Sequence, residues 1–247
     1  MKGKLPAIFA ALNDEIRTIR SRMIVDEQTH FRPVLVIRGQ IEKQNCLLVR
    51  TGVGKKAMHQ AVKYCLENYN PTHCLNIGYA GGTTPKMIVG DLLLADPVVD
   101  AASKAYYIAD HSLLKKIEAL CVKNKLRYYR GGLVTVEEVI ETPHEKAFIG
   151  TEHEALALDM ESSAFMQECK KHKKPAVVVR SIFDALDVKL PYMKKAIDES
   201  GEVNLAGVAG HVISHPKDIL ALPKMEYYAS KAREALTDFI QAWISIL

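Results

Sequence analysis

The chain has 247 residues, of which 48% are hydrophobic and 25% charged, with a formal net charge of +4. That suits one large α/β domain or two small ones with a substantial core. The lysines are scattered and no apolar run approaches the ~18 to 20 residues that span a bilayer, which argues against a nucleic-acid binder and against membrane insertion. In chain order, Pro6 to Leu12 reads as a buried strand: its apolar run is short and the acidic Asp14 and Glu15 follow at once, unlike a secretory leader. Asp14 to Met23 has amphipathic helical spacing. Val34 to Gly39 and Cys46 to Arg50 read as a strand pair. Ala57 to Asn68 is predicted as a helix, with Ala57, Ala61, Val62, Cys65 and Leu66 on one face. Thr72 to Gly78, Asp91 to Ala95, Gly132 to Val136 and Ala176 to Ile182 read as further strands. His111 to Lys123, Glu161 to Lys171 and Tyr227 to Ile246 read as helices.

Strands alternating with helices predict an α/β fold: a single-domain, three-layer sandwich over residues 1–247, with a central mixed, largely parallel twisted sheet between helices. The five cysteines (Cys46, Cys65, Cys74, Cys121, Cys169) are odd in number and widely spaced, which fits reduced thiols in the cytoplasm rather than a disulfide framework or a zinc site. The run Lys170-Lys171-His172-Lys173-Lys174 reads as a solvated helix end, since no aromatic residues interleave with it.

In such folds ligands sit beyond the carboxyl ends of the strands. That rule selects Asn13-Asp14-Glu15, Gly52-Val53-Gly54, Gly78-Tyr79-Ala80-Gly81-Gly82, Val136 to Ile140 and Phe183-Asp184. Gly52-Val53-Gly54-Lys55-Lys56-Ala57 matches the dinucleotide pattern, but the following strand ends in Gly78 rather than an acid that could hold a ribose. It reads as a strand-to-helix turn whose backbone at Gly54 lines the pocket. Glycines at 78, 81 and 82 let a flat ligand approach the backbone. His211 and His215 are spaced i, i+4, but no glutamate follows His211 and no third ligand is evident, so no metal site is expected. Glu161 and Asp184 stand at the edges of buried-looking elements. Either could simply serve a helix dipole or cap. Their occurrence together with Glu15 and two glycine-rich strand ends favours a chemical use.

With these residues assembled, the chain resembles the nucleoside phosphorylase and nucleosidase superfamily. It looks most like its methylthioadenosine/S-adenosylhomocysteine nucleosidase branch and the hopanoid-associated (adenosylhopane nucleosidase) group. The likeness rests on A-L-N-D-E-I at 11–16, T-G-V-G-K at 51–55, N-I-G-Y-A-G-G at 76–82, V-G-D at 89–91, L-D-M-E-S at 158–162 and R-S-I-F-D-A-L-D at 180–187. The tail, with L-P-Y-M at 190–193, G-E-V-N-L at 201–205 and H-P-K-D-I-L-A-L-P at 215–223, is similar to the hopanoid-associated group.

The resemblance implies that Asp184 protonates or hydrogen-bonds N7 of a purine, that Glu161 accepts from the ribose hydroxyls, and that Glu15 orients the attacking water. It implies that Met160 packs beneath the sugar, that the Val139-Ile140 backbone meets the purine edge, and that Gly81 and Ala80 lie close to the ligand. Tyr79 and Phe183 stand where relatives carry serine, so both border the substrate. Phosphorolytic relatives place an arginine at the position of Asn76 and a Gly-Asp phosphate loop at Ala10-Ala11-Leu12. Without that guanidinium a phosphate dianion loses bidentate hydrogen bonds, and water is the expected nucleophile. The implied protein is a cytosolic homodimer needing no cofactor. It hydrolyses a 5′-substituted adenosine, adenosylhopane among the possibilities. The alternatives are a methylthioadenosine/S-adenosylhomocysteine nucleosidase, a purine nucleoside phosphorylase and a nucleoside-binding protein without turnover. The apolar segment Leu205, Val208, Val212, Ile213, Ile219, Leu220, Leu222 serves either core or dimer packing or a greasy 5′ group.

Overall fold

The computed structural model describes residues 5–188 and 222–245; His211, His215 and nearly all of the apolar tail segment lie outside them. In chain order the elements are β1 (Ala7–Ala10), α1 (Asn13–Ser21), β2 (Ile24–Phe31), β3 (Val34–Ile41), β4 (Gln44–Arg50), α2 (Lys55–Tyr69), β5 (Cys74–Gly82), β6 (Leu92–Asp100), β7 (Tyr106–Tyr107), α3 (His111–Lys123), β8 (Tyr128–Thr135), α4 (Pro143–Glu152), β9 (Ala155–Asp159), α5 (Ser162–Lys171), β10 (Ala176–Asp184) and α6 (Leu222–Ile244). Among the described residues no helix is long and apolar enough to cross a membrane.

The sheet is mixed. β1 runs parallel to β4 and β5, β5 to β10, and β8 to both β6 and β9. The pairs β2–β3, β3–β4, β6–β10 and β5–β9 are antiparallel. Since β10 pairs with both β5 and β6, the path β5–β10–β6–β8–β9 returns to β5 and leaves no free edge there.

Alternation along the strands sorts side chains onto two faces. Ile8, Leu75, Ile77, Val177 and Val179 meet Ile16 and Ile19 of α1, Leu114 and Ile117 of α3, and Phe239 and Trp243 of α6. Ala7, Phe9, Cys74 and Val178 meet Met58, Val62 and Cys65 of α2 and Phe165 and Cys169 of α5. Helices thus cover both sides, and the α2 face is the one its spacing predicts. Phe239 is fully buried. Phe239→Ala is expected to lower unfolding free energy by about 3 to 5 kcal/mol, as read by urea denaturation.

Several elements differ from expectation. β2 is a strand along its whole length although its sequence is polar and its residues are mostly exposed. As an edge strand it has no buried face to impose alternation, and its charges discourage further pairing. β7, α4 and β9 were not anticipated. The glycine-rich stretch through Gly82 is strand rather than a loop beyond one, because β10 pairs alongside it from Gly78↔Arg180 to Gly81↔Asp184 and β9 continues at Gly82↔Ala157. β10 likewise extends to Asp184.

Candidate active site

Glu15 is placed by the first turn of α1. Leu12 is the N-cap, in extended conformation, and Glu15 is the third helical residue. Its Oε2 accepts the backbone N–H groups of Ala11 at 2.9 Å and Leu12 at 2.8 Å, the reach-back half of a capping box. Its Oε1 accepts the Tyr79 N–H at 2.9 Å, which joins α1 to β5. Burial raises its pKa, while Arg180 and these N–H groups oppose the rise.

Asp159, at the end of β9, receives Arg180 Nε at 2.9 Å and Nη2 at 2.7 Å, and Thr135 Oγ1 at 2.8 Å. This ion pair ties β9 to β10 and is buried on both sides. The third guanidinium nitrogen, Nη1, is buried and has no hydrogen-bond partner among the described residues. A Cβ at Gly78 would lie 3.0 Å from it and 2.7 Å from Glu15 Oε1, so both polar atoms converge on the bare backbone there.

Glu161 occupies the N-cap position of α5 but does not cap it. Asp159 takes that part by accepting the Ser162 N–H. Glu161 is thereby free to turn toward the α2 side, where its Oε1 accepts the Gly54 N–H at 2.8 Å. Gly54 has φ of +91°, a conformation that an L side chain rarely adopts. Burial and the neighbouring Asp159 carboxylate raise the Glu161 pKa to about 7, against the pull of Arg180; the Glu15 charge adds to the rise, so the two carboxylates share one field.

Asp184 ends β10 opposite Gly81, and a Cβ at Gly81 would be 3.3 Å from each carboxylate oxygen. The Lys146 ammonium on α4 donates to Oδ2. Burial raises the Asp184 pKa to about 6, with Lys146 opposing.

The other predicted residues divide among neighbouring clusters. Tyr79 donates its hydroxyl to Asp14 Oδ2 at 2.6 Å, and Arg233 of α6 grips the same carboxylate at 2.9 Å. Its ring lies 5.8 Å from that of Phe183. Met160 and Ile140 pack at the border of the Val134–Val136–Leu158 cluster, whereas Val139 joins Phe183 beside Val188 and Tyr228. The Ala80 side chain packs into the α2-side core. Asn76 is fully buried, with its amide on the Met58 sulfur at 3.6 Å. Sequence reasoning passed over Asp159, Arg180, Lys146 and Arg233. A charge inside the apolar run of β10 was a usable signal for Arg180, since a buried arginine demands a carboxylate partner.

The family profile described as "Phosphorylase superfamily" matches residues 7–213. A 5′-methylthioadenosine/S-adenosylhomocysteine nucleosidase of Geobacillus kaustophilus is 27% identical over 195 residues, covering 72% of this chain and 83% of that protein. One from Marinomonas sp. is 29% identical over 216 residues, covering 78% and 93%. Among solved structures, a Helicobacter pylori nucleosidase of the same name superposes with a TM-score of 0.78 at 17% identity over 100% of both chains. The futalosine hydrolase of Helicobacter pylori gives 0.73 at 18% identity over 96% of this chain and 97% of that one. With a profile match over most of its length and this fold beneath it, the chain belongs to the phosphorylase superfamily.

Proposed function

We propose that the chain is an N-ribosyl hydrolase that cleaves the purine–ribose bond of a 5′-substituted adenosine. The observation that carries this is the arrangement along β5: Glu15 Oε1 and Arg180 Nη1, which has no hydrogen-bond partner among the described residues, converge at Gly78, while the Asp184 carboxyl lies against Gly81. One end is built to hold and deprotonate a small nucleophile, the other to protonate a leaving base. Water between Oε1 and Nη1 attacks C1′ as the C1′–N9 electron pair passes into the purine. The water proton goes to Glu15, and the Asp184 O–H bond breaks as an N7–H bond forms. Glu161 accepts hydrogen bonds from the ribose hydroxyls, where its negative charge favours the oxocarbenium-like transition state. Met160 and the paired Tyr79 and Phe183 rings supply apolar walls.

Water rather than phosphate is the nucleophile in this reading. The buried Asn76 offers no guanidinium, Arg50 is engaged by Asn13 Oδ1 and the Pro33 carbonyl at 3.1 Å each, and a dianion beside the Glu15 carboxylate is repelled. The names of the relatives favour methylthioadenosine and S-adenosylhomocysteine as substrates. The likeness of the 190–223 tail favours an apolar 5′ group of the adenosylhopane kind. We place the protein in the cytoplasm, on its free buried thiols, and as a homodimer, on the family resemblance.

The test is adenine release from methylthioadenosine and from an adenosine with an apolar 5′ substituent, with and without phosphate. Release independent of phosphate is expected; release that requires it overturns hydrolysis, and binding without release overturns catalysis. The pH profile of kcat/KM is expected to be a bell with its apex between about 6 and 7. Activity falls as pH rises because Asp184 loses the proton it must give, and falls as pH drops because Glu161 and Glu15 gain protons and stop accepting. A profile that rises monotonically through that range removes Asp184 as the acid.

A further inference from the structure

Nothing in the reaction as described accounts for Lys146. It is fully buried in α4, and its Nζ donates to Asp184 Oδ2 and to the Val188 carbonyl at 3.1 Å. α4 is otherwise a surface helix, with Phe148 63% exposed. Burying an ammonium is costly unless it is paired and hydrogen-bonded, so its placement at a single carboxylate calls for a reason. The helix is also drawn unusually close to the core. One turn after Lys146, Gly150 faces Thr83, and a Cβ there would lie 2.5 Å from the Thr83 Cβ. Residues four apart share a helix face, so the close approach at Gly150 is what brings Lys146 within reach of Asp184. Asp184 is held between the bare Gly81 backbone on one side and the ammonium on the other.

We propose, resting on the nucleosidase reading above, that Lys146 is a positioning residue for the leaving-group acid: it orients Asp184 and stabilises the carboxylate that Asp184 becomes when its proton moves to the purine. The proton balance is simple. The Asp184 O–H bond breaks, the N7–H bond forms, and the glycosidic electron pair enters the ring, while Lys146 keeps all its protons. Without the ammonium, the reaction would create a buried anion with no other countercharge among the described residues, and the proton would be slow to leave. The direction of the Asp184 shift agrees: burial raises its pKa and Lys146 restrains the rise.

A structural role for Lys146 would affect all substrates alike, whereas this role concerns only leaving groups that need a proton. The experiment therefore compares methylthioadenosine with 4-nitrophenyl riboside, whose nitrophenolate departs unprotonated, in wild type, Lys146→Met and Lys146→Gln. In Lys146→Met, kcat/KM for adenine release is expected to fall about 100-fold while nitrophenol release falls less than about threefold. The alkaline limb of the adenine profile moves to higher pH, because Asp184 holds its proton longer without the cation. Equal losses on both substrates, or an alkaline limb that stays in place, overturn the proposal. Lys146→Gln keeps a donor for the Val188 carbonyl without the charge; if the Met variant does not fold, the same shift must appear in Gln, and its absence is decisive. A wild type that releases neither product defeats the nucleosidase reading itself, whereas parallel losses in an active enzyme defeat only the role of Lys146.

Discussion

Asp184→Asn is expected to lower kcat for adenine release by about 10² to 10⁴-fold with little change in KM, the range by which a positioned general acid accelerates reactions. The replacement is nearly isosteric. An asparagine oxygen still accepts from Lys146, and the side chain still fits over Gly81, where no Cβ competes for space. What is lost is the transferable proton. Also lost is the countercharge of the buried Lys146, so unfolding free energy near neutral pH is expected to fall by about 3 to 5 kcal/mol, and turnover is compared on protein shown to be folded. Thermal denaturation together with single-turnover adenine release checks both halves. Near-normal turnover in this variant would remove Asp184 from the mechanism and with it the assignment of β10 as the leaving-group side.

Arg180→Met has a different signature because Arg180 serves two masters. Its Nε and Nη2 neutralise the buried Asp159, and its charge restrains the pKa of both Glu15 and Glu161. Removing it leaves Asp159 ionised in the interior with, among the described residues, the neutral donors of Thr135 and Ser162. A destabilisation of about 3 to 5 kcal/mol is expected. Adding Asp159→Asn should recover most of that, since the orphaned charge is then gone. Activity should not return, because the Nη1 donor at Gly78 is still missing and Glu15, no longer facing the guanidinium, takes up its proton at higher pH. For Glu161 the lost Asp159 charge outweighs the lost Arg180 charge, so an upward move of the acid limb in the double variant is expected from Glu15 alone. Full recovery of turnover alongside stability would mean that Arg180 acts only as a strut for Asp159.

The elements most legible in the sequence are those with one buried face. α2 shows its stripe from Ala57 to Leu66, and β10 its apolar run from Ala176, because a shared core enforces the period. β2 was illegible for the converse reason: an exposed edge strand has nothing to alternate against. α4 lacks an apolar stripe, although Thr142 and Pro143 mark its start, with Thr142 accepting the Glu145 N–H at 3.3 Å. Missing α4 meant missing Lys146, a lysine whose sequence neighbours give no hint that it points inward. Glu15, Glu161 and Asp184 stand out in the sequence as candidates because each lies at the end of an element, where acids often have work to do. That Arg180, Asp159 and Gly78 meet beside them was not legible, since they come together only through pairings between strands distant in the chain.

Two glycines of β5, Gly78 and Gly81, have a consequence for how the enzyme sorts its substrates. Positions 78 and 81 are three residues apart on one extended strand, a separation of roughly 10 Å set by the backbone repeat. In the proposed mechanism the strand therefore works as a ruler, and the length it measures runs from the Glu15–Arg180 end that holds the water to the Asp184 end that protonates the base. In that reading the 5′ end of the sugar lies off this scale, and variants that remodel the walls there are expected to exchange one nucleoside for another without recalibrating the gap in which bonds are made and broken.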